Sequence, residues 1–154
     1  IYHIEKKDFF KRQKLNLSKF FFTNIDQSTF SNLKNLRKLD LSGNQIKHIS
    51  SDTFQSLPLI EEIYLSCNQI RYLEPDCFSN LKLLKVLSLA YNHLEIINEN
   101  DFRDLISLEE LNLSSNSIRD IHPNSLLSLR GLRKLNLAFN LLDFLAESVF
   151  RSQY

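Results

Sequence analysis

The sequence predicts an α/β repeat solenoid, in which a parallel β-sheet lines the concave face and short helical (3-10) turns or loops line the convex side. Three observations predict it. A 24-residue pattern recurs along the chain, every clear copy contains an apolar pair spaced two residues apart, and an asparagine and an apolar, usually phenylalanine, residue follow at fixed offsets. One copy cannot bury its own apolar face, so the copies must stack. We expect the stack to be curved and right-handed.

The repeats divide the 154 residues into successive segments of one predicted domain. Five clear copies share the pattern LxxLxLxxNxIxxIxxxxFxxLxx, and a degraded copy precedes them. The alternative, an amphipathic helical protein, needs a 3.6-residue period that LxLxxN does not supply. The predicted segments are a partial repeat at 1–11, the degenerate repeat at 12–35, and clear repeats at 36–59, 60–83, 84–107, 108–131 and 132–154.

Each repeat position has a physical reason. The LxL pair alternates with period two, which predicts a short strand with both apolar side chains on one face. An asparagine follows the strand, and its amide has two donors and an acceptor with which to satisfy buried backbone groups where the chain leaves the sheet. These asparagines are Asn44, Asn68, Asn92, Asn116 and Asn140.

Two further columns are predicted to build the convex side. The first is a buried aromatic spine of Phe30, Phe54, Phe78, Phe102 and Phe150, with Leu126 at one place. The second lies two residues earlier and contains only good helix N-caps, namely Ser28, Asp52, Asp76, Asn100, Asn124 and Ser148. Together they predict one helical turn per repeat, of the 3-10 type.

This pattern resembles the leucine-rich repeat family over residues 12–154. Its length and its fixed phenylalanine are similar to the extracellular repeats of Toll-type receptors, chaoptin and Slit. The resemblance implies protein binding by the ectodomain of a cell-surface receptor or adhesion protein, of the cell-adhesion or innate-immune kind. The alternative is a cytoplasmic scaffold or adaptor, which the expected free cysteines and the missing caps favour. The repeats run to both ends, which predicts a fragment of a longer protein, and a fragment would lack caps in either case.

The solvent-facing strand positions are the predicted binding surface. Charge sign alternates from turn to turn, in Arg37-Lys38, Glu61-Glu62, Lys85-Val86, Glu109-Glu110 and Arg133-Lys134. Two interpretations are compatible: cross-strand ion pairs on a solvated face, or a patterned recognition face. Aromatic residues on a polar surface are typical of interface hot spots. The predicted contact residues are Asp40, Glu62, Tyr64, Tyr91 and Glu110.

Two sequons and two cysteines bear on the compartment. Asn16 and Asn112 match the N-glycosylation pattern, although LNLS is also the repeat consensus. A glycan on Asn112 would cover the concave face. Cys67 and Cys77 are expected to lie too far apart for a disulfide, and therefore to be thiols.

The remaining patterns exclude several classes of function. The sequence shows no nucleophile with a base, no zinc spacing and no phosphate-cradling glycine loop, so it predicts neither an enzyme nor a cofactor. A net charge of +1 without a basic stripe argues against nucleic acid, and no apolar run suits direct membrane contact. The predicted partner is a protein ligand or co-receptor. Both ends lack polar caps, which predicts self-association through exposed apolar surface.

Overall fold

The computed structural model describes residues 12–144, 147, 149 and 150. This part of the chain contains ten short strands, the 3-10 helix Gln27–Phe30 and further 3-10 residues at 147, 149 and 150. The strands are β1 (Lys14–Asn16), β2 (Lys38–Asp40), β3 (His48–Ile49), β4 (Glu62–Tyr64), β5 (Tyr72–Leu73), β6 (Val86–Ser88), β7 (Ile96–Ile97), β8 (Glu110–Asn112), β9 (Asp120–Ile121) and β10 (Lys134–Asn136).

Six strands form one parallel sheet in the order β1-β2-β4-β6-β8-β10. Every strand pairs with its neighbour in a register of 24 residues, as Leu39 with Ile63 and Leu87 with Leu111 show. The register follows from the sequence period, because a slip of one residue would turn the buried leucines to solvent. The predicted solenoid with a parallel sheet is therefore confirmed. The division into repeat segments remains a prediction.

Four strands lie outside the main sheet, in two-stranded parallel pairs. β3 pairs with β5, and β7 pairs with β9, again with partners 24 residues apart. In each strand one side chain is buried, such as Ile49 and Ile97, while its neighbour faces outward. His48 stacks on Tyr72 at 5.5 Å between ring centroids on this lateral surface.

The phenylalanine spine runs through the core as predicted. Phe30, Phe54, Phe78 and Phe102 are buried and stack in sequence, with centroid separations of 6.3, 5.8 and 6.4 Å. Leu126 is buried in the next turn. Phe150 is partly buried against the same core.

The asparagine ladder is also confirmed. Asn92 Nδ2 donates to the carbonyls of Leu65 and Leu89, both at 3.0 Å, and Asn92 Oδ1 accepts from the backbone N–H of Ile70. Each asparagine thus ties its own turn to the preceding one. Where Phe20 stands in place of the asparagine, its N–H donates to Asn44 Oδ1 of the next turn.

At the 3-10 helix Gln27–Phe30 the predicted cap is wrong by two residues, and the predicted cap Ser148 lies outside the described residues. The 3-10 helix is capped by Asp26, whose carboxylate accepts from the N–H of Ser28, so Ser28 is a donor and not the cap. His122 Nδ1 likewise accepts from the N–H of Asn124. Asp76 has a left-handed φ of 61° and accepts from the Arg103 side chain, which is incompatible with an extended cap position.

The prediction of one helical turn in each repeat is also wrong for most turns. The repeats before β10 contain the i→i+3 bond that begins such a turn, as from Thr53 N to Ser50 O and from Cys77 N to Glu74 O. Between β2 and β10, however, these bonds close separate turns and no helix. The local sequences place a spine residue and a leucine three apart. This spacing is satisfied by consecutive turns as well as by a helix.

Candidate protein-binding face

The concave face consists of the outward side chains of the six-stranded sheet. The first residue of each strand belongs to the central column, and the third residue belongs to the second column. The residue two positions after the strand belongs to the third column. The columns are Lys14, Lys38, Glu62, Val86, Glu110 and Lys134; then Asn16, Asp40, Tyr64, Ser88, Asn112 and Asn136; then Ser18, Ser42, Ser66, Ala90, Ser114 and Ala138.

An edge column of charges precedes each strand from β2 to β10, and several of its members form ion pairs across neighbouring strands. Glu61 accepts from both Arg37 and Lys85, the latter at 2.8 Å. A guanidinium nitrogen of Arg133 lies 3.7 Å from Glu109 Oε2. The hydrogen bonds from Lys85 and Arg37 lower the pKa of Glu61. The predicted ladder of cross-strand ion pairs is confirmed, and exposed pairs of this kind contribute about 0.2–1 kcal/mol each.

Two predicted contact residues, Glu62 and Tyr64, form one cluster with Lys38 near the start of the sheet, and the predicted residue Asp40 lies on the same strand as Lys38. Lys38 Nζ donates to Glu62 at 2.6 Å, and the Tyr64 hydroxyl donates to the same carboxylate at 2.9 Å. Lys38 Nζ also lies 4.5 Å from the centroid of the Tyr64 ring, which is a cation–π contact. Asp40 is the register partner of Tyr64, and its carboxylate accepts from the Ser42 N–H. Tyr64 is therefore held in one orientation before any partner arrives.

The electrostatics of the cluster follow from these bonds. The hydrogen bond from Lys38 lowers the pKa of Glu62 and raises the pKa of Lys38 itself. Partial burial raises the pKa of Tyr64, with a further contribution from the Glu62 carboxylate. At neutral pH the cluster therefore contains an ammonium, a carboxylate and a neutral phenol. Lys38 was not among the predicted contact residues. The 24-residue register alone predicts the position of Lys38, opposite Glu62 and diagonal to Tyr64.

The other two predicted contact residues lie apart from this cluster. Glu110 is on the same face, two strands from Glu62, and binds Lys134 at 2.6 Å. Tyr91 is 62% exposed and lies beyond the end of β6. Its backbone is left-handed, with a φ of 56°.

Tyr91 belongs to a column of residues whose shared backbone conformation the sequence pattern did not predict. Every member has a positive φ between 55° and 68°, because the chain turns sharply before the ladder asparagine. Only Gly43 adopts this conformation without a steric cost, and a Cβ there would lie 3.1 Å from Lys19 Cγ. The column is Lys19, Gly43, Cys67, Tyr91, Ser115 and Phe139.

Both sequons lie on strands of the concave face. Asn112 Oδ1 accepts from the N–H and the hydroxyl of Ser114, and Asn16 Oδ1 accepts from the N–H of Ser18. A glycan on Asn112 and a partner on the same strands would exclude each other. The cysteines are free thiols as expected, with Cys67 exposed and Cys77 buried.

The described residues include neither a metal-binding cluster nor a membrane-spanning helix. They contain no group of three or more histidines, cysteines or carboxylates arranged to hold a metal ion. No helix among them is long and apolar enough to span a bilayer. The large aromatics with exposed rings on the first and last described turns are Phe20, Phe21, Phe22, Phe139 and Phe144.

The family of the chain follows from the repeats and from a family profile described as leucine rich repeat. That profile matches residues 13–70, 59–118 and 102–142, which together span 13–142. This chain belongs to the leucine-rich repeat family. None of the curated protein sequences compared with this leucine-rich repeat chain matches it significantly.

Two solved structures show how far the likeness extends. The TLR13–ssRNA13 complex superposes with a TM-score of 0.72 at 31% identity, and the leucine-rich repeat domain of APL1B with 0.80 at 28%. Each alignment covers 92% of this chain. The leucine-rich repeat chain spans 23% of the TLR13 chain and 43% of the APL1B chain.

Proposed function

We propose that the concave face of this chain binds a protein ligand or co-receptor, as part of the extracellular recognition region of a receptor or adhesion protein. Leucine-rich repeat domains are protein-interaction modules, which supports the general role. The observation that carries the proposal is the Lys38–Glu62–Tyr64 cluster. It presents a preoriented aromatic ring on an otherwise polar sheet.

Preorientation matters because ordering a side chain on binding costs free energy. The hydroxyl bond to Glu62 and the ammonium over the ring already restrict Tyr64. A partner that covers the ring therefore loses less conformational entropy than it would over a free tyrosine. Tyr91, exposed beyond the strand end, would extend the same contact surface toward one side of the sheet.

The extracellular assignment has separate support. TLR13 and APL1B are similar in fold, and the two sequons are compatible with the secretory route. The second candidate, a cytoplasmic scaffold, is favoured by the two free thiols. Recognition of single-stranded RNA, the ligand in the TLR13 complex, has weaker support because basic and acidic side chains on the concave face pair with each other.

Photo-crosslinking in the full-length protein tests the proposal. A photoreactive phenylalanine analogue at Tyr64 should capture a second protein on intact cells, whereas the analogue at Leu127, exposed on the convex turns, should not. Protease added outside the cells should digest the captured species if the face is extracellular. Capture from Leu127 alone would refute the concave-face proposal. Protection from the protease would replace the extracellular role with the cytoplasmic one.

A paired substitution tests the contact residues. Tyr64→Ala with Tyr91→Ala should weaken retention of the captured partner by at least about tenfold, since removing a hot-spot residue costs about 2 kcal/mol or more. The matched control removes Leu127 and Ile106, which are exposed on the convex side. Undiminished retention by the double variant would exclude both tyrosines.

A further inference from the structure

We propose that the concave face has a slot for a basic side chain of the partner, centred on Val86 between Glu62 and Glu110. The proposal deepens the protein-binding role and rests on it. Its basis is a comparison of two neighbouring columns of charge on the same sheet.

The edge column is complete. Along the stacked strands it has Arg37, Glu61, Lys85, Glu109 and Arg133, so that cation and anion alternate without a gap. Its middle lysine binds Glu61 at 2.8 Å.

The central column has the same alternation with its middle cation missing. After Lys14 on β1, it has Lys38, Glu62, Val86, Glu110 and Lys134 on the five strands from β2 to β10. Val86 is the register partner of Glu62 on one side and of Glu110 on the other. Two strand spacings separate these glutamates, or about 9.6 Å between backbones. A cation above Val86 would face a carboxylate on each side.

Both carboxylates retain capacity for such a guest. Glu62 accepts through Oε2 alone, from Lys38 on the strand away from Val86 and from Tyr64 on its own strand. Glu110 accepts through Oε1 from Lys134, which is also on the strand away from Val86. An ionised carboxylate has about four lone-pair sites. Glu61 demonstrates the arrangement within this molecule, because it bridges one cation on each neighbouring strand. A guest cation would give Glu62 the same two-sided coordination.

The floor of the slot suits the stem of a long basic side chain. Val86 is half-buried and apolar and has surface to offer a guest, whereas the small residues Ser88, on β6, and Ala90, beyond the end of β6, are almost wholly buried. Arginine and lysine pack their methylene groups on such a surface while the charged end remains among polar groups. Nearby Lys85 would repel a guest, but its charge is already bound to Glu61.

Three capped pentapeptides serve as probes, each with threonine and valine on both sides of a central arginine, norleucine or glutamate. When the arginine peptide is titrated into the isotope-labelled 154-residue chain, the NMR signals of the Glu62, Val86 and Glu110 backbone amides should shift. The other two peptides should bind at least about tenfold more weakly. Added salt should weaken binding of the arginine peptide, because salt screens partly exposed ion pairs.

Substitutions locate the effect. Val86→Lys supplies the missing cation from within and should abolish arginine-peptide binding without lowering the melting temperature. Val86→Thr, similar in shape and neutral, should retain binding. Lys134→Gln should strengthen binding because it releases Glu110. If Val86→Lys fails to fold, Glu110→Gln must weaken binding instead.

The slot and the protein-binding role fail differently. Equal binding of all three peptides, no binding of any, or full binding to Val86→Lys would each overturn the slot. Partner capture from Tyr64 would persist in those cases if the face binds protein by other contacts. Loss of capture from Tyr64 would instead refute the protein-binding role.

Discussion

At the scale of single residues, the buried ladder asparagines stabilise this chain because their hydrogen bonds link each turn to its neighbours. Asn68, Asn92 and Asn116 are buried, and each bonds backbone groups of two repeats. An unpaired backbone amide or carbonyl in such a place costs about as much as a lost hydrogen bond. The asparagine is therefore needed for the stability of the turn, whether or not a binding partner is present.

Removing one of these amides should destabilise the chain measurably. Asn92→Ala leaves the N–H of Ile70 and the carbonyls of Leu65 and Leu89 without their side-chain partner. We expect the free energy of unfolding to fall by about 1–3 kcal/mol, measured by urea denaturation. His93→Ala, at the exposed neighbouring position, is the control. Equal stability of the two variants would contradict the ladder's role.

A buried carboxylate makes a second prediction at this scale. Asp101 is 3% exposed, and burial raises its pKa above the usual range, although its carboxylate accepts from the Asn98 N–H. Because the folded state holds this proton more tightly than the unfolded state, Asp101 lowers stability as pH rises from its unfolded pKa through its folded one.

We expect Asp101→Asn to be stabilised relative to the parent chain by an amount that depends on pH. The difference in melting temperature between this variant and the parent should grow in favour of the variant as pH rises from about 3.9, the pKa of an unperturbed aspartate. Asp104→Asn, on the same turn and partly exposed, is the control. A difference that shrinks with rising pH would show that the hydrogen bond outweighs burial.

At the scale of elements, the strands are too short to be stable without their neighbours. Each main-sheet strand has three residues, so its stability comes from packing between turns. The spine provides much of that packing, since four phenylalanine rings stack in one continuous column. The convex turns have irregular geometry because they are shaped to place these rings.

Truncating one ring tests this view. Phe78→Ala should cost about 3–5 kcal/mol, because Phe78 is 1% exposed and packed between two other rings. Phe78→Leu should cost much less, since Leu126 occupies the corresponding place in its own turn. Chemical denaturation measures both, and a leucine variant as unstable as the alanine one would argue for a specific stacking contribution.

At the scale of the whole molecule, every turn contacts only its neighbours, so stability is shared along the stack and falls toward its ends. The same backbone bond recurs in each turn and reports on this gradient. Leu65 N donates to Ser88 O at 2.8 Å in the middle, while Leu17 N and Leu113 N make the equivalent bond nearer the ends at 2.7 and 2.8 Å.

Amide exchange of this 154-residue chain should reveal that gradient. We expect the Leu65 amide to exchange at least about tenfold more slowly than those of Leu17 and Leu113, because opening a middle turn breaks contacts on both sides. The three bonds are nearly equal in length, so local geometry would not account for a difference. Uniform protection would indicate that the stack unfolds as one unit.

The sequence by itself determined the repeat, the register, the leucine strands, the asparagine ladder and the spine. These features depend on periodicity alone, because each buried position recurs every 24 residues and has one environment. The tertiary structure decided where the turns are capped, since Asp26 and Ser28 are equally good caps in isolation and only the path of the chain selects one.

The tertiary structure also decided which outward residues act together. Lys38, Glu62 and Tyr64 are distant in sequence and meet only because the strands stack in register. The same stacking sets Val86 between two carboxylates and turns Tyr91 outward on a left-handed backbone. A repeat pattern specifies a scaffold, whereas the geometry between non-identical side chains exists only once neighbouring turns are in contact.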